Sequence, residues 1–199
     1  MTMDKPFSQA CENNKRPILE VLQRVFAHSK KVVEIGSGTG QHAVFFAAQL
    51  PHLLWQPTDL AVNLPGITQW LNAQPQFNLL APVPLDIQHN TWPVTDFDAV
   101  FSANTAHIMA WELTMEMIRQ TACKLKSGGV YALYGPFNYG GQYTSASNAQ
   151  FDQWLKSVNP SQGIRDFEEV GRVASGAGLS LLEDNAMPAN NRLLVWNKI

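Results

Sequence analysis

One ten-residue stretch limits what this chain can fold into: Lys31-Val32-Val33-Glu34-Ile35-Gly36-Ser37-Gly38-Thr39-Gly40, a β-branched run that ends in an acidic residue and a glycine-rich turn. Val32, Val33 and Ile35 suit a strand buried on both faces, as in a parallel sheet. Gly36, Gly38 and Gly40 allow a tight turn and a close backbone approach to a ligand, and a helix is expected to start near Gln41. The unit reads as a nucleotide-binding βα junction. Dinucleotide sites use G-x-G-x-x-G, whereas here the glycines fall as G-x-G-x-G and Gln41 stands where the third dinucleotide glycine would be.

That spacing favours S-adenosylmethionine over NAD as the cofactor. With 199 residues, 45% of them hydrophobic, and a net charge of −2, the chain can form one well-cored α/β domain over 1–199. The longest apolar stretch, Ala43 to Ala48, is far short of the roughly 18 residues of a membrane helix. Met1-Thr-Met-Asp-Lys-Pro lacks a signal peptide's apolar region, so a cytoplasmic protein with no membrane partner is expected. Cys11 and Cys123 are isolated and read as reduced thiols, too few for a structural zinc. The slightly acidic chain has no lysine or arginine cluster, so no nucleic-acid partner is expected. The oligomeric state is left open by these features.

Strand and helix patterns alternate, as in a doubly wound sheet. Ile18, Leu19, Leu22, Val25 and Phe26 predict a leading helix, with Pro17 suited to its first turn. After the first strand and a helix over Gln41 to Leu50, strands are expected at Leu53 to Thr58 and Leu79 to Leu85, with a helix near Pro65 to Ala73 between them. Pro82 and Pro84 demand an edge position for the third strand. A fourth strand is expected at Phe97 to Ala103, a helix through Trp111, Met115, Ile118, Ala122 and Leu125, and a fifth strand at Val130 to Tyr134. The stretch 136–178 reads as an insertion covering the substrate side, with helices near Ala149 to Val158 and Phe167 to Ala174. Asp166 and Glu169 resemble a capping box for the second of these. Leu179 to Glu183 and Arg192 to Lys198 close the chain as a hairpin.

An acidic residue followed by G-x-G-x-G resembles the first motif of the class I S-adenosylmethionine-dependent methyltransferases. Ser37-Gly-Thr-Gly-Gln-His-Ala43, Trp55-Gln-Pro-Thr-Asp59, Tyr134-Gly-Pro-Phe137 and Met187-Pro-Ala-Asn-Asn191 together resemble the methyltransferase-like protein 26 family. This is also called the domain of unknown function 938 family. The likeness runs from about Ala10 to the C-terminus. It implies a Rossmann-like three-layer αβα fold around a seven-stranded sheet in the order 3-2-1-4-5-7-6, with the last hairpin strand antiparallel. That order sets the third strand at an edge, as its prolines require.

Asp59 stands about 20 positions beyond the glycine loop, where an acidic residue serves nucleotide riboses, and it can accept from both ribose hydroxyls. Its alternative is a helix N-cap. Leu60 follows it into the site. Asp86, with Ile87 after it, resembles the family motif that contacts the adenine amino group; a turn-forming aspartate is the rival reading. Glu34 is expected to face the cofactor's methionine end and orient its ammonium group, beside Gly36, Ser37, Gly38 and Gly40. Asn104 lies on the loop where the superfamily passes the methionyl part. Ala10-Cys-Glu-Asn-Asn-Lys15 is similar to a family segment reading A-x-E-R-N-K, so the resemblance adds Asn14 and Lys15, with Asn13 departing from it. The alternative is that Asn14 and Lys15 only begin the first helix. His42 joins the cofactor set, or serves only inside its helix.

Methyl transfer is largely a matter of positioning, and where a proton must leave the acceptor, His107 is the candidate base, with a normal pKa near neutrality. The bland reading is a cap or packing histidine. Tyr139 is placed with it as a catalytic candidate. Tyr134, Asn138, Tyr143, Arg165, Asn190 and Asn191 are the candidate contacts for a small-molecule substrate, although each could instead hold a loop in place. Asn104 stands where a metal-dependent enzyme would carry acidic ligands, so metal-independent transfer to oxygen or nitrogen is expected. A non-catalytic S-adenosylmethionine-binding protein and an NAD-dependent oxidoreductase are the alternatives.

Overall fold

The computed structural model describes residues 5–89 and 91–199. In chain order its elements are α1 (Gln9–Val25), β1 (Lys31–Ile35), α2 (Gln41–Gln49), β2 (Leu54–Asp59), α3 (Leu64–Ala73), β3 (Val83–Pro84) and β4 (Ala99–Ala103). There follow α4 (Trp111–Lys124), β5 (Val130–Asn138), α5 (Ala146–Val158), β6 (Arg165–Asp166), α6 (Phe167–Gly176), β7 (Leu179–Met187) and β8 (Asn191–Lys198).

Seven strands lie in the order β3-β2-β1-β4-β5-β8-β7, and the two-residue β6 pairs with the far end of β5. The pairs from β3 to β5 are parallel, whereas β8 runs antiparallel to both β5 and β7. This is the Rossmann-like methyltransferase fold, with β7 and β8 in the places expected for a sixth and seventh strand.

Both faces of the central strands β1, β4 and β5 are buried, whereas the edge strand β7 is largely exposed, and the alternation along the central strands decides which residue serves which core. Val33, Ile35, Val100, Tyr131 and Leu133 point to the core under α4 and α6. Val32, Ala99, Phe101 and Ala132 point to the core under α1 and α2, where Trp55, Phe46 and Phe101 form an aromatic cluster. No helix among the described residues is long and apolar enough to cross a membrane.

Several expectations need correction. The leading helix starts at Gln9, capped by Ser8, so Pro17 is interior and removes the helix bond that Asn13 C=O would have accepted. The third strand is only Val83–Pro84 plus an isolated Trp55–Leu79 bridge, because Pro82 and Pro84 lack the N–H groups a longer ladder needs. It does lie at the sheet edge. β5 continues to Asn138 and the final hairpin closes at Pro188–Asn190, both longer than expected. Of the stretch 136–178, α5 approaches the site, but α6 buries Val170 and Ala174 in the core beside α4. Asp166 caps α6 through Glu168 N at 3.2 Å.

Candidate functional site

The glycine loop is tied to β2 by backbone bonds from Gly36 N and Ser37 N to Thr58 O, at 3.0 and 2.9 Å. Gly36 (φ +73°) passes so close to Thr105 that an added Cβ would stand 2.3 Å from its Cγ2. Gly38 (φ +58°) has nothing within 4 Å of that position and opens onto a cavity. Gly38 N donates to Asp59 Oδ2, while Leu60 N and Asn63 Nδ2 donate to Oδ1, each at 2.7 Å. A carboxylate has about four acceptor sites, so about one is left for a ligand. The expectation that Asp59 takes both ribose hydroxyls is therefore narrowed, because the loop itself occupies most of the carboxylate.

Glu34 sits beneath the loop, outside the cavity wall, so it does not face a bound ligand directly as expected. Its carboxylate accepts from Ser37 Oγ at 2.9 Å and from Trp55 Nε1 at 3.0 Å. Burial pushes its carboxyl up to about 7, and the nearby Asp59 charge adds to the rise.

A cavity of about 1020 Å³ runs along the C-terminal ends of β1 to β5, where open α/β sheets place their ligands. At the end beyond β2 and β3 it is walled by Asp59, Leu60, Asp86 and Ile87. Asp86 also makes the turn that was its rival reading, accepting from Gln88 N at 2.9 Å. Further along lie Gly36, Ser37 and Asn104, the last at φ +58° with its N–H donated to Tyr134 O. Asn14, His42 and Tyr134 form a polar group in the wall, with Asn14 Oδ1 2.7 Å from His42 Nε2. Burial pushes the His42 imidazole down to about 4.

The opposite end, beyond β4 and β5, is built from His107, Met109, Leu113, Pro136, Phe151 and Trp154. His107 is 5% exposed and meets Phe151 edge-on at 5.3 Å. Its ring nitrogens have no hydrogen-bond partner among the described residues. Burial pushes it down to about 4, helped by the Arg165 charge, so the near-neutral pKa expected of this base is not what the fold provides.

Other candidates stand away from the cavity. Gly40 abuts Ile67 of α3, and Lys15 pairs with Glu12. Tyr139 donates to Asp184 at 2.8 Å with its ring stacked on Phe167, and Tyr143 donates to Asp152 at 2.7 Å. Arg165 donates to the carbonyls of Ala106, Met109 and Ser161, clamping the loop that carries His107. Asn138 is outside the wall, as is Asn190, whose carbonyl accepts from Asn148 Nδ2, whereas Asn191 lines it. Sequence reasoning missed Ser147, Asn148, Phe151 and Trp154. Their three- and four-residue spacing on α5 is the one-sided stripe that could have found them.

Among solved structures the chain is similar to an O-methyltransferase family protein from Burkholderia thailandensis, with a TM-score of 0.80 at 18% identity, covering 92% of this chain and 56% of that one. An O-methyltransferase family 2 protein from Planctomyces limnophilus, in complex with apigenin, matches at 0.83 and 15% identity, covering 96% and 58%. PigF with S-adenosylhomocysteine matches at 0.81 and 16%, covering 94% and 56%. The chain thus spans little more than half the length of these proteins, and the shared property is the fold. A sequence family model matches residues 5–198, and the chain belongs to that family, the protein of unknown function DUF938.

Proposed function

We propose that the protein is an S-adenosylmethionine-dependent methyltransferase acting on a small-molecule acceptor at oxygen or nitrogen. One observation carries the reading: a single cavity joins the glycine loop and Asp59 at one end to an unpartnered histidine at the other. The residues fit such a cofactor. Asp59 keeps about one acceptor site for a ribose hydroxyl, Leu60 and Ile87 flank it with apolar surface, and Gly38 leaves the backbone open to close approach. S-adenosylmethionine, when bound, supplies a methyl group already activated by a positively charged sulfur.

His107 is neutral at pH 7 and accepts a hydrogen bond without first losing a proton. Since a general base works best with a pKa near the working pH, its weight falls on holding the acceptor's donor group in line. Metal-independent transfer is supported by the surroundings of His107, because Met109, Leu113 and Phe151 offer none of the oxygen ligands that hard divalent cations take.

The test is calorimetric titration with S-adenosylmethionine, S-adenosylhomocysteine and NAD, repeated on Asp59→Ala. Selective binding of the sulfur compounds is expected, weakened in the variant by at least the roughly 1.5–3 kcal/mol of a lost hydrogen bond to a charged group, since the substitution also frees the loop donors Gly38 N, Leu60 N and Asn63 Nδ2. A folded sample that binds neither sulfur compound defeats the reading.

A further inference from the structure

We infer that the acceptor is an uncharged, flat aromatic compound bearing a hydroxyl, seated against Phe151 and Trp154 with the hydroxyl donated to His107. The inference rests on the methyltransferase reading and concerns the half of the cavity that the cofactor residues leave over. At about 1020 Å³ the cavity lies at the top of the roughly 300–1,000 Å³ range of ligand pockets and extends from Asp59 and Asp86 at one end to His107, Phe151 and Trp154 at the other.

Charge decides the first property. The carboxylates among the described residues that line the cavity are Asp59 and Asp86, and no lysine or arginine lines it. The cation whose charge acts on His107 is Arg165, which is turned into the loop carbonyls of Ala106, Met109 and Ser161. A phosphate or carboxylate entering this space would lose its water and gain no cationic partner, a heavy cost in an apolar wall. A protonated amine fares little better at this end, where the positive field of Arg165 already disfavours charge on His107.

The wall decides shape. Phe151 and Trp154 stack at 5.7 Å with 15° between their rings, and His107 stands edge-on to Phe151 at 5.3 Å. Trp154 is 57% exposed and Ile108 51%, so an apolar entrance leads to an aromatic wall. Flat rings gain offset-stacked and edge-to-face contacts there that an aliphatic chain cannot make. His107 then decides the functional group. None of the described residues bonds a ring nitrogen of His107, which lines the cavity, and a neutral hydroxyl can donate to it: as the O–CH3 bond forms, the sulfonium C–S bond breaks to leave S-adenosylhomocysteine and the O–H proton passes through the imidazole to water.

Binding of 2-naphthol and of its anionic counterpart 2-naphthoate, followed by calorimetry and tryptophan fluorescence, tests the inference. The titrations are run with the protein alone and saturated with S-adenosylhomocysteine. The expected result is naphthol binding at least tenfold tighter than naphthoate, weakened at least fivefold by Phe151→Ala. Leu113→Lys, which adds a cation to the same wall, is expected to bring naphthoate to naphthol's affinity or beyond. Equal affinity for the two probes, no naphthol binding, or an unchanged Kd in Phe151→Ala overturns the aromatic-hydroxyl assignment. S-adenosylhomocysteine affinity, measured on every variant, reports separately: its retention shows an intact cofactor end, and its absence in the parent protein overturns the underlying methyltransferase reading.

Discussion

Trp55 donates its indole N–H to the Glu34 carboxylate at 3.0 Å, across the paired strands β1 and β2 and beneath the glycine loop. The same oxygen accepts from Ser37 Oγ, whose own oxygen accepts from Thr58 N. One buried carboxyl thus fixes the loop to the neighbouring strand.

The same carboxyl sets a pH dependence of stability. Its folded-state pKa is raised from 4.5 to about 7, so the folded state holds more protons, and its stability falls as pH rises from about 4.5 to 7. His42 and His107 act oppositely. Lowered from 6.5 to about 4, they destabilise the folded state as pH falls through that window. Thermal unfolding should therefore show greatest stability near pH 6.5. Glu34→Gln keeps an acceptor for Trp55 but cannot ionise, removing a penalty on the order of 3 kcal/mol above pH 7. A variant whose melting temperature falls between pH 6 and 8 as steeply as the parent's contradicts this.

His107→Ala should lower turnover of a hydroxyl acceptor by about a hundredfold, the cost of a misplaced acceptor, while leaving S-adenosylhomocysteine affinity intact. Because the imidazole takes up a proton only near pH 4, this group predicts a kcat that is flat from pH 6 to 8. A kcat that climbs as pH rises toward 6.5 and levels off above it would show a histidine in ordinary surroundings, and unchanged turnover in the variant removes it from the reaction.

What could be read from the sequence was local. Strand, glycine turn and helix are adjacent between Lys31 and Gln49, and the distance to Asp59 is fixed by one crossover helix, so the glycine loop and Asp59 could be placed together from spacing, whereas Asp86, Asn104, Asn14 and Lys15 entered only through the family resemblance. The other end of the cavity was less legible: the stripe Ser147, Asn148, Phe151 and Trp154 marks one side of α5, but its spacing does not say that this side faces the cavity. Tyr139 and Arg165 looked available because their partners are remote: Asp184 is 45 positions away, and the Ala106 carbonyl 59. Polar residues in glycine-rich segments look like ligand contacts until such partners are known. His107 was found by position, but its lowered pKa arises from burial that only the assembled fold supplies.

Gly36 and Thr105 form a packing pair with two separable costs. Gly36→Ala sets a methyl 2.3 Å from Thr105 Cγ2 and also strains a backbone at φ +73°. It should destabilise the protein by about 1–3 kcal/mol through overpacking alone. Thr105→Ser deletes the offending methyl and keeps the hydroxyl that meets Ser102 Oγ at 2.5 Å. The double variant should recover the packing part and retain the strain of a positive φ. Denaturant unfolding of the four proteins measures the coupling, and strictly additive effects contradict it.

Arg165 acts on His107 through the loop rather than through the ligand. It donates to Ala106 O on one side of His107 and Met109 O on the other, and Gly163 N bonds His107 O at 2.9 Å. Removing the guanidinium leaves these carbonyls to find water and frees the imidazole to wander from the cavity. Arg165→Met should therefore lower kcat for a hydroxyl acceptor at least tenfold, with S-adenosylhomocysteine affinity unchanged, since its hydrogen bonds go to Ala106, Met109 and Ser161 and not to the glycine loop or Asp59. Loss of its charge should also let the His107 pKa rise, measurable by NMR titration of the imidazole. Arg165→Lys keeps the charge but not the planar fork, so it should retain the low histidine pKa while losing turnover. If Arg165→Met retained full turnover with an unshifted His107 titration, the clamp would be a feature of stability alone.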